Sequence, residues 1–308
     1  MGIASSTLLL FAMAGAAVSA TRPTTAFDLL DDGSVVVPVT IGGMGPYRFV
    51  IDTGSSRTVI SSRLWKALRL PVLAKTEVVT PAGRDTAYVV RLDGLAIDGR
   101  PGVNLSAAVM PADRYAAGQQ VDGLIGQDLL AGLVYTIAYD DRTIMWHGPG
   151  ALVLGRRLPL SIRNNRLLVS LDQREGDASP LSLVPDSGSD ALVLFAHAQG
   201  KLRLTPREVG VLSSVSGSRL VRRVDVEKLV VGSASLHNPL AVIIDTRESV
   251  EMMGDGLLPL NVFSRVTFNV AEGYLIVHPA MIQPSHEAAG HQFASISKSR
   301  HRTAAERQ

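Results

Sequence analysis

Cysteine is absent from the 308 residues of the chain, and aromatic residues are scarce at 5%. A chain without cysteine forms no disulfides, has no thiol nucleophile and offers no cysteine for lipid attachment. Charged residues make up only 19% of the sequence, and the net charge is +2. Nucleic-acid binding depends on clustered lysine and arginine, and the basic cluster at 298–302 lies in a polar C-terminal stretch. We therefore expect no nucleic-acid partner.

Apolar runs long enough to span a membrane are missing near the N-terminus. The apolar stretch there covers residues 7–18, whereas a bilayer span needs about 20 residues. Small residues follow at 18–20, which is typical of a signal cleavage site. We predict that residues 1–20 form a signal peptide and that the protein is exported, periplasmic or secreted, although this segment contains no lysine or arginine. The alternative is a disordered N-terminus or a mis-assigned start codon.

Glycine and proline, in contrast, are frequent. The 28 glycines and 16 prolines separate short runs rich in valine and isoleucine, a pattern that predicts an all-β fold. Helical signals are few, the clearest being residues 62–70 and a possible turn at 128–133. The polar segment 284–308 is predicted to be a disordered tail.

One short pattern occurs twice. Asp52-Thr53-Gly54-Ser55 returns 134 residues later as Asp186-Ser187-Gly188-Ser189, and an apolar run precedes each copy. An Asp-Gly-Leu segment follows both copies, at 122–124 and 255–257, and each leads into two alternating apolar runs joined by a turn. The spacing is far longer than that of a solenoid repeat. It predicts a duplicated domain, with lobes at 27–150 and 160–281, in a chain long enough for about two domains.

The repeated aspartates suit one kind of hydrolysis. Two carboxyl groups that share a proton can activate a water molecule and polarise a carbonyl. This requires each aspartate at the tip of a rigid apolar strand, followed by a tight turn in which a backbone N–H can approach the carboxylate. Asp52 and Asp186 both meet these requirements, so they are the candidate catalytic pair. The other repeated aspartates, Asp122 and Asp255, are predicted to accept hydrogen bonds from backbone donors in a bracing turn.

On these motifs the chain resembles aspartic proteases of the pepsin/retropepsin superfamily in the two-lobed single-chain form. It is more similar to the bacterial retropepsin-like branch than to the large eukaryotic pepsins. The bracing segment Leu124-Ile125-Gly126 and the lead-in at 42–49 also resemble this family, and the likeness covers about residues 33–280. The resemblance implies two homologous β-barrel lobes related by a pseudo-twofold axis, with a cleft between them.

The resemblance also implies roles for the neighbouring residues. Thr53 and Ser187 would cross-link the two loops, Gly54 and Gly188 would supply backbone donors, and Ser55 and Ser189 would hydrogen-bond the aspartates. A β-hairpin flap would lie at 78–87, with Pro81, Ala82 and Gly83 at its turn, and its counterpart in the second half would run through 216–218. The substrate would be an extended polypeptide bound by a monomer, and no cofactor or metal is implied.

Three features depart from the family pattern. Pro185 precedes the second aspartate inside a predicted core strand, where proline is unusual because it lacks an N–H. Pro259 stands where the first half has Gly126, and the flap turn lacks the tyrosine of the pepsins. Two alternatives therefore stay open: an inactive binding or scaffold protein, and a homodimeric protease that uses only the first lobe.

Overall fold

The computed structural model describes residues 23–80, 83–111, 121–173, 179–214, 217–245 and 254–280. The predicted signal peptide at 1–20, the predicted tail at 284–308, and the turn residues Pro81, Ala82 and Ser216 lie outside the described residues. Export and the cleavage site therefore stay predictions. No helix in the described ranges is long and apolar enough to cross a membrane.

In the described residues up to 150, the first half of the chain forms eleven strands and two short helices. The strands are β1 (Thr24–Ala26), β2 (Asp28–Leu29), β3 (Val35–Ile41), β4 (Met44–Ile51), β5 (Val59–Ser61), β6 (Val72–Thr80), β7 (Gly83–Ile97), β8 (Val103–Met110), β9 (Gly123–Ile125), β10 (Val134–Ala138) and β11 (Thr143–His147). The helices are α1 (Ser62–Leu68) and α2 (Gln127–Leu130). The Ser61 hydroxyl caps α1 by accepting the Leu64 N–H, and the helix ends where Arg69 adopts a left-handed backbone conformation. Both helices lie close to their predicted positions.

Within its described ranges, the second half contributes twelve strands and one 3-10 helix (Ala196–Lys201). The strands are β12 (Arg157–Arg163), β13 (Arg166–Leu171), β14 (Leu181–Asp186), β15 (Leu192–Phe195), β16 (Leu204–Ser214), β17 (Gly217–Val226), β18 (Lys228–Val231), β19 (Ala234–His237), β20 (Leu240–Ile244), β21 (Gly256–Pro259), β22 (Phe263–Asn269) and β23 (Tyr274–Pro279).

The two halves repeat one strand order. In the first it is β3-β4-β9-β5-β8-β7-β6, and in the second it is β13-β14-β21-β15-β20-β17-β16. In the first half an additional pairing between β3 and β7 closes six of these strands into a ring. The predicted all-β fold with two similar lobes is confirmed, because the seven strands of this order occupy matching places in both halves.

The lobes are joined by a shared sheet. Its strand order is β1-β11-β10-β22-β23-β12, so the last hairpin of one half pairs with the last hairpin of the other. At its centre β10 and β22 run antiparallel, and the buried hydroxyls of Thr136 and Thr267 lie 2.7 Å apart. Tyr135 and Phe268 stack beside them with ring centroids 5.1 Å apart. Buried cross-strand pairs of this kind stabilise a sheet, and here they hold the lobes in one relative position.

The bracing turns use their aspartates as predicted. In the first lobe the Asp122 carboxylate accepts the Arg48 N–H at 2.9 Å. In the second the Asp255 carboxylate accepts the Ser182 N–H at 2.7 Å. Both contacts anchor the strand that carries the catalytic candidate of the same lobe. These aspartates therefore have a structural role.

Pro259 is tolerated because the group that would accept an N–H at this position is missing as well. In the first lobe the Gly126 N–H donates to the Thr58 hydroxyl at 3.3 Å. In the second, proline removes the donor, and the residue equivalent to Thr58 is Leu192, which removes the acceptor. The donor and the acceptor of this one hydrogen bond are lost together, so neither is left buried without the other.

Pro185 is tolerated for a different reason. The antiparallel ladder between β3 and β4 reaches Ile51, the residue before the first aspartate. The corresponding ladder between β13 and β14 ends at Leu183, two residues before Pro185. The missing N–H of Pro185 therefore falls beyond the antiparallel ladder, while its carbonyl remains available to the site.

Candidate active site

The two aspartates lie at the ends of matching strands. Asp52 directly follows β4 and Asp186 is the last residue of β14. Each of these strands is held between an antiparallel neighbour and a parallel one, β3 and β9 in the first lobe and β13 and β21 in the second. The Asp52 N–H donates to the Ile125 carbonyl at 3.0 Å. Strands fixed on both sides give each carboxyl group a defined position.

Four hydrogen bonds cross-link the aspartate loops. The Thr53 hydroxyl donates to the Pro185 carbonyl at 2.8 Å and accepts the Ser187 N–H at 3.0 Å. In return, the Ser187 hydroxyl donates to the Ile51 carbonyl at 2.6 Å and accepts the Thr53 N–H at 3.1 Å. The predicted cross-link is confirmed, and its symmetry reflects the duplication. All four bonds are buried, so the loops are held without competition from solvent.

The carboxyl groups of Asp52 and Asp186 lie side by side, because a Cβ atom built at Gly188 would be 3.4 Å from the Asp52 Oδ1 and 3.3 Å from the Asp186 Oδ1. Asp52 accepts the N–H groups of Gly54 at 3.0 Å and Ser55 at 2.9 Å, both through Oδ1. Asp186 accepts the Gly188 N–H at 2.8 Å. Gly54 and Gly188 therefore supply the predicted backbone donors. Because N–H donors stabilise the charged form, Asp52 is the better stabilised carboxylate of the pair.

Burial raises the pKa of both aspartates. For Asp52, hydrogen bonds from Ser55 and Gly54 and the charge of Arg166 oppose the rise in pKa. For Asp186, burial and then the negative charge of Asp52 raise the pKa from 3.8 to about 8. Two carboxyl groups this close cannot both ionise easily. The pair therefore retains one proton to near-neutral pH, and Asp186 is the better site for it.

Of the two serines predicted to hydrogen-bond the aspartates, Ser55 does so and Ser189 does not. Ser55 bonds Asp52 through its backbone N–H, whereas its hydroxyl donates to the Arg57 carbonyl at 2.8 Å. The Ser189 hydroxyl donates to the Ala191 carbonyl at 2.8 Å instead of to an aspartate. Each hydroxyl therefore closes the turn that follows its aspartate, because the carbonyl two residues further along is within its reach.

Gly54 leaves no space for a side chain. A Cβ atom built at this position would lie 2.5 Å from the Asp186 Cγ and 2.6 to 2.7 Å from its carboxylate oxygens. We predict that Gly54→Ala drives the two carboxyl groups apart and lowers kcat by at least about 100-fold, since small misplacements of reacting groups are this costly. A peptide-cleavage assay with a folding check by circular dichroism measures this.

The matched control is Gly43→Ala. A Cβ at Gly43 meets nothing within 4 Å, so this variant carries the cost of a glycine with a positive φ without crowding the site. Full activity in Gly54→Ala would contradict the position assigned to Asp186.

The predicted flap lies on a longer hairpin than the sequence suggested. Strands β6 and β7 pair from Val72 to Thr80, and Gly83 begins β7 opposite Thr80. In the second lobe β16 and β17 pair up to Ser214 and Gly217. A hairpin is confirmed at both places, and Gly83 begins β7 directly after the turn residues 81–82, which lie outside the described residues.

Tyr88 does not stand in for the missing flap tyrosine. It pairs with Lys75 in the hairpin, well away from the turn, and its ring lies 5.7 Å from that of Trp65 in α1. Tyr88 thus packs the hairpin against α1. The sequence therefore still differs from the pepsin pattern in the tyrosine of the flap turn.

Two residues of the site were not predicted from the sequence. The first is Arg166, whose guanidinium donates to the carbonyls of Gly54 and Val79. Burial lowers the pKa of Arg166, while the charges of Asp52 and Asp186 raise it. Its one signal in the sequence is that an arginine occupies the first position of a largely apolar strand, β13.

The second is Gln127, the buried first residue of α2. Its Nε2 donates to the Thr53 carbonyl at 2.8 Å. This hydrogen bond connects the cross-linked loop to α2. A glutamine in an apolar bracing segment could have indicated such a role, but not its target.

Comparison with known proteins gives one family model and a similar solved structure. The family model described as aspartyl protease matches residues 37–129 and 172–262, together more than half of the chain. A crystal structure of a retropepsin-like aspartic protease from Rickettsia conorii is similar, with 17% sequence identity, a TM-score of 0.29, and coverage of 41% of this chain and 90% of that chain. No curated protein matches. With one matched segment and one aspartate motif in each lobe, the chain belongs to the aspartyl protease family.

Proposed function

We propose that the protein is an aspartic endopeptidase that hydrolyses peptide bonds with the pair Asp52 and Asp186. The observation that carries this proposal is the close approach of two carboxyl groups from the two halves of one chain, each with an oxygen within 3.4 Å of the point where a Gly188 Cβ would lie. Such a pair holds a base and an acid side by side, which is what the addition of water to an amide carbonyl requires.

The uneven donors around the two carboxyl groups assign their roles. Asp52, with two backbone N–H donors, acts as the carboxylate and takes a proton from the attacking water. Asp186 carries the shared proton and gives it to the substrate carbonyl oxygen as the water oxygen bonds to the carbon. The product of this step is a neutral gem-diol, and the charge on the pair has moved from Asp52 to Asp186.

Collapse of the gem-diol returns the pair to its starting state. Asp52 gives its proton to the leaving nitrogen as the C–N bond breaks, and Asp186 takes a proton from one of the two hydroxyls. The amine and the carboxylic acid leave, and one proton again remains on the pair. The cross-link between Thr53 and Ser187 keeps both carboxyl groups in place throughout.

The structure favours this reading over the two alternatives. Pro185 and Pro259 were the main support for an inactive scaffold, but the cross-link between the two aspartate loops forms with Pro185 in place and uses its carbonyl as an acceptor. A homodimer that uses only the first lobe is unnecessary, because Asp186 of the same chain already lies against Asp52.

The decisive experiment uses the purified chain without residues 1–20. We expect it to cleave unfolded polypeptides and to be inhibited by a statine-type peptide, which mimics the gem-diol and should bind at least about 100-fold more tightly than substrate. Digestion is followed by mass spectrometry, with a metal chelator as the parallel treatment. Activity that survives the statine peptide but is lost to the chelator would overturn the proposal.

A further inference from the structure

Arg166 belongs to the second lobe but makes its contacts in the first. It is the first residue of β13 and follows a turn in which Asn164 and Asn165 both have positive φ. Its Nη1 donates to the carbonyl of Gly54, and its Nη2 donates to the carbonyl of Val79 at 3.0 Å. The planar guanidinium suits such a bridge because its N–H donors form a fixed fork.

The two carbonyls belong to two different segments of the first lobe. Gly54 lies in the Asp52 loop, which we take as the cleft floor because a Cβ atom built at Gly54 would lie 2.5 Å from the Asp186 Cγ. Val79 is the residue before the last of β6, next to the turn of the flap hairpin. The guanidinium therefore connects the Asp52 loop, the floor of the cleft, to the flap hairpin, its roof, beside the aspartate pair.

The charge of Arg166 fits this place. Its guanidinium interacts electrostatically with both Asp52 and Asp186. An attraction to the pair adds to the two hydrogen bonds, and partial burial makes all of these interactions stronger than they would be in water. The bridge is thus held by more than its two carbonyl acceptors.

The duplication does not repeat this contact. By the register of the aspartate strands, the first-lobe equivalent of Arg166 is Ser34, just before β3. Its N–H donates to the Asp32 carboxylate at 2.9 Å, and its side chain is buried. A serine side chain is too short to connect the cleft floor to a hairpin. The bridge is a property of the second lobe, and it makes the cleft asymmetric.

We propose that Arg166 is a positioning residue that latches the flap hairpin to the cleft floor, and that a substrate entering on this side must release the Val79 carbonyl. The second half of this statement rests on the proposed function. An extended peptide binds by main-chain hydrogen bonds in the manner of an added strand, and it needs the space between floor and roof that the guanidinium occupies. Arg166 therefore holds the flap hairpin against the Asp52 loop, and its hydrogen bond to the Val79 carbonyl breaks when a peptide binds.

The latch is tested first by amide hydrogen exchange on the whole protein. Arg166→Met keeps a long side chain without donors, and Arg166→Lys keeps the charge but lacks the fork that bridges two carbonyls. We expect exchange in residues 72–79 to rise about tenfold in both variants and to stay unchanged in β10 and β22. The matched control is Arg163→Met, an exposed position that pairs with Arg166 in the same hairpin.

Unchanged exchange of residues 72–79 in both variants would overturn the latch. This measurement needs no substrate, so it tests the latch even if the protein cleaves nothing. If Arg166→Met loses its fold, exchange in β10 and β22 reveals this, and Arg166→Lys then decides.

Displacement by substrate is tested by the association rate of the statine-type peptide. Removing the latch is expected to raise this rate about threefold to tenfold in both variants and to leave it unchanged in Arg163→Met. A purely structural support has the opposite signature, with slower or weaker binding in the variants. Slower association combined with unchanged exchange would show that Arg166 contacts the peptide directly, and the proposal would be wrong. Failure of the wild-type protein to bind the peptide would count against the proposed function and against displacement, but not against the latch.

Discussion

Replacing either Asp52 or Asp186 by asparagine is expected to lower peptide cleavage by about 1,000-fold or more. An amide has nearly the shape of a carboxylate, so the loops and the cross-link should keep their structure. It can neither take a proton from water nor hold the shared proton, and acid–base catalysis of this kind contributes about 100-fold to 10,000-fold per group. Because the two carboxyl groups act as a unit, the double variant should be no worse than either single variant.

A structural aspartate provides the matched control. Asp122→Asn makes the same chemical change at a carboxylate that accepts the Arg48 N–H and pairs with Arg63 at 2.9 Å. We expect a loss of stability there and little loss of activity per folded molecule. The measurements are kcat on a fluorogenic peptide and the unfolding midpoint in urea. Near-normal activity in Asp186→Asn alongside an inactive Asp52→Asn would favour the homodimer that uses only the first lobe.

The second large effect concerns the dependence of stability on pH. In the folded protein the pKa of Asp186 is raised from 3.8 to about 8 by burial and by the charge of Asp52, and that of Asp52 is also raised. The folded state therefore binds more protons than the unfolded state between these values, and its stability must fall as pH rises. The contribution of Asp186 is fully present below about pH 4 and is lost as pH rises toward 8.

Asp186→Asn should remove most of this dependence. We expect the variant to be more stable than the wild type by on the order of 1–3 kcal/mol near pH 8, and about equally stable near pH 4, since each unit of pKa shift corresponds to about 1.4 kcal/mol. Gains in stability on removing a strained catalytic group are a common trade-off. Urea unfolding of both proteins across this pH range measures the difference. A stability difference that does not change with pH would contradict the raised pKa of Asp186.

The same proton predicts the alkaline side of the activity profile. Cleavage needs one proton on the pair, so activity should decline above about pH 8, where Asp186 loses it. On the acid side, activity should decline as Asp52 becomes protonated, at a pH above the ordinary aspartate value because its pKa is also raised. A pH series of kcat on one peptide locates both limbs.

The elements near the site were predictable because their signals are local. An apolar strand that ends in Asp-hydroxyl-Gly-Ser predicts where a carboxyl group is presented, and duplication predicts a second one. The roles of Thr53 and Ser187 followed from the family resemblance, and the bracing aspartates followed from their repetition. The prediction for Ser189 was wrong, since the sequence does not distinguish an aspartate from a carbonyl two residues further along.

The two prolines show where local rules mislead. Each stands where a backbone N–H is expected, and the compensating change lies elsewhere in the chain. For Pro185 it is the shorter pairing between β13 and β14. For Pro259 it is Leu192 in place of a threonine. Arg166 is a similar case, because it lies 112 residues from Gly54 and 87 from Val79.

The sequence by itself determined the two all-β lobes, the identity of the aspartate pair and the loops that carry it, because strand alternation, turn residues and repetition are written along the chain. Only the tertiary structure decided that the last hairpins of the two halves pair into one sheet, that Asp52 has more N–H donors than Asp186, and that Arg166 crosses the cleft. Each of these depends on distances between segments far apart in sequence, which are set by how the two lobes pack and not by any local pattern.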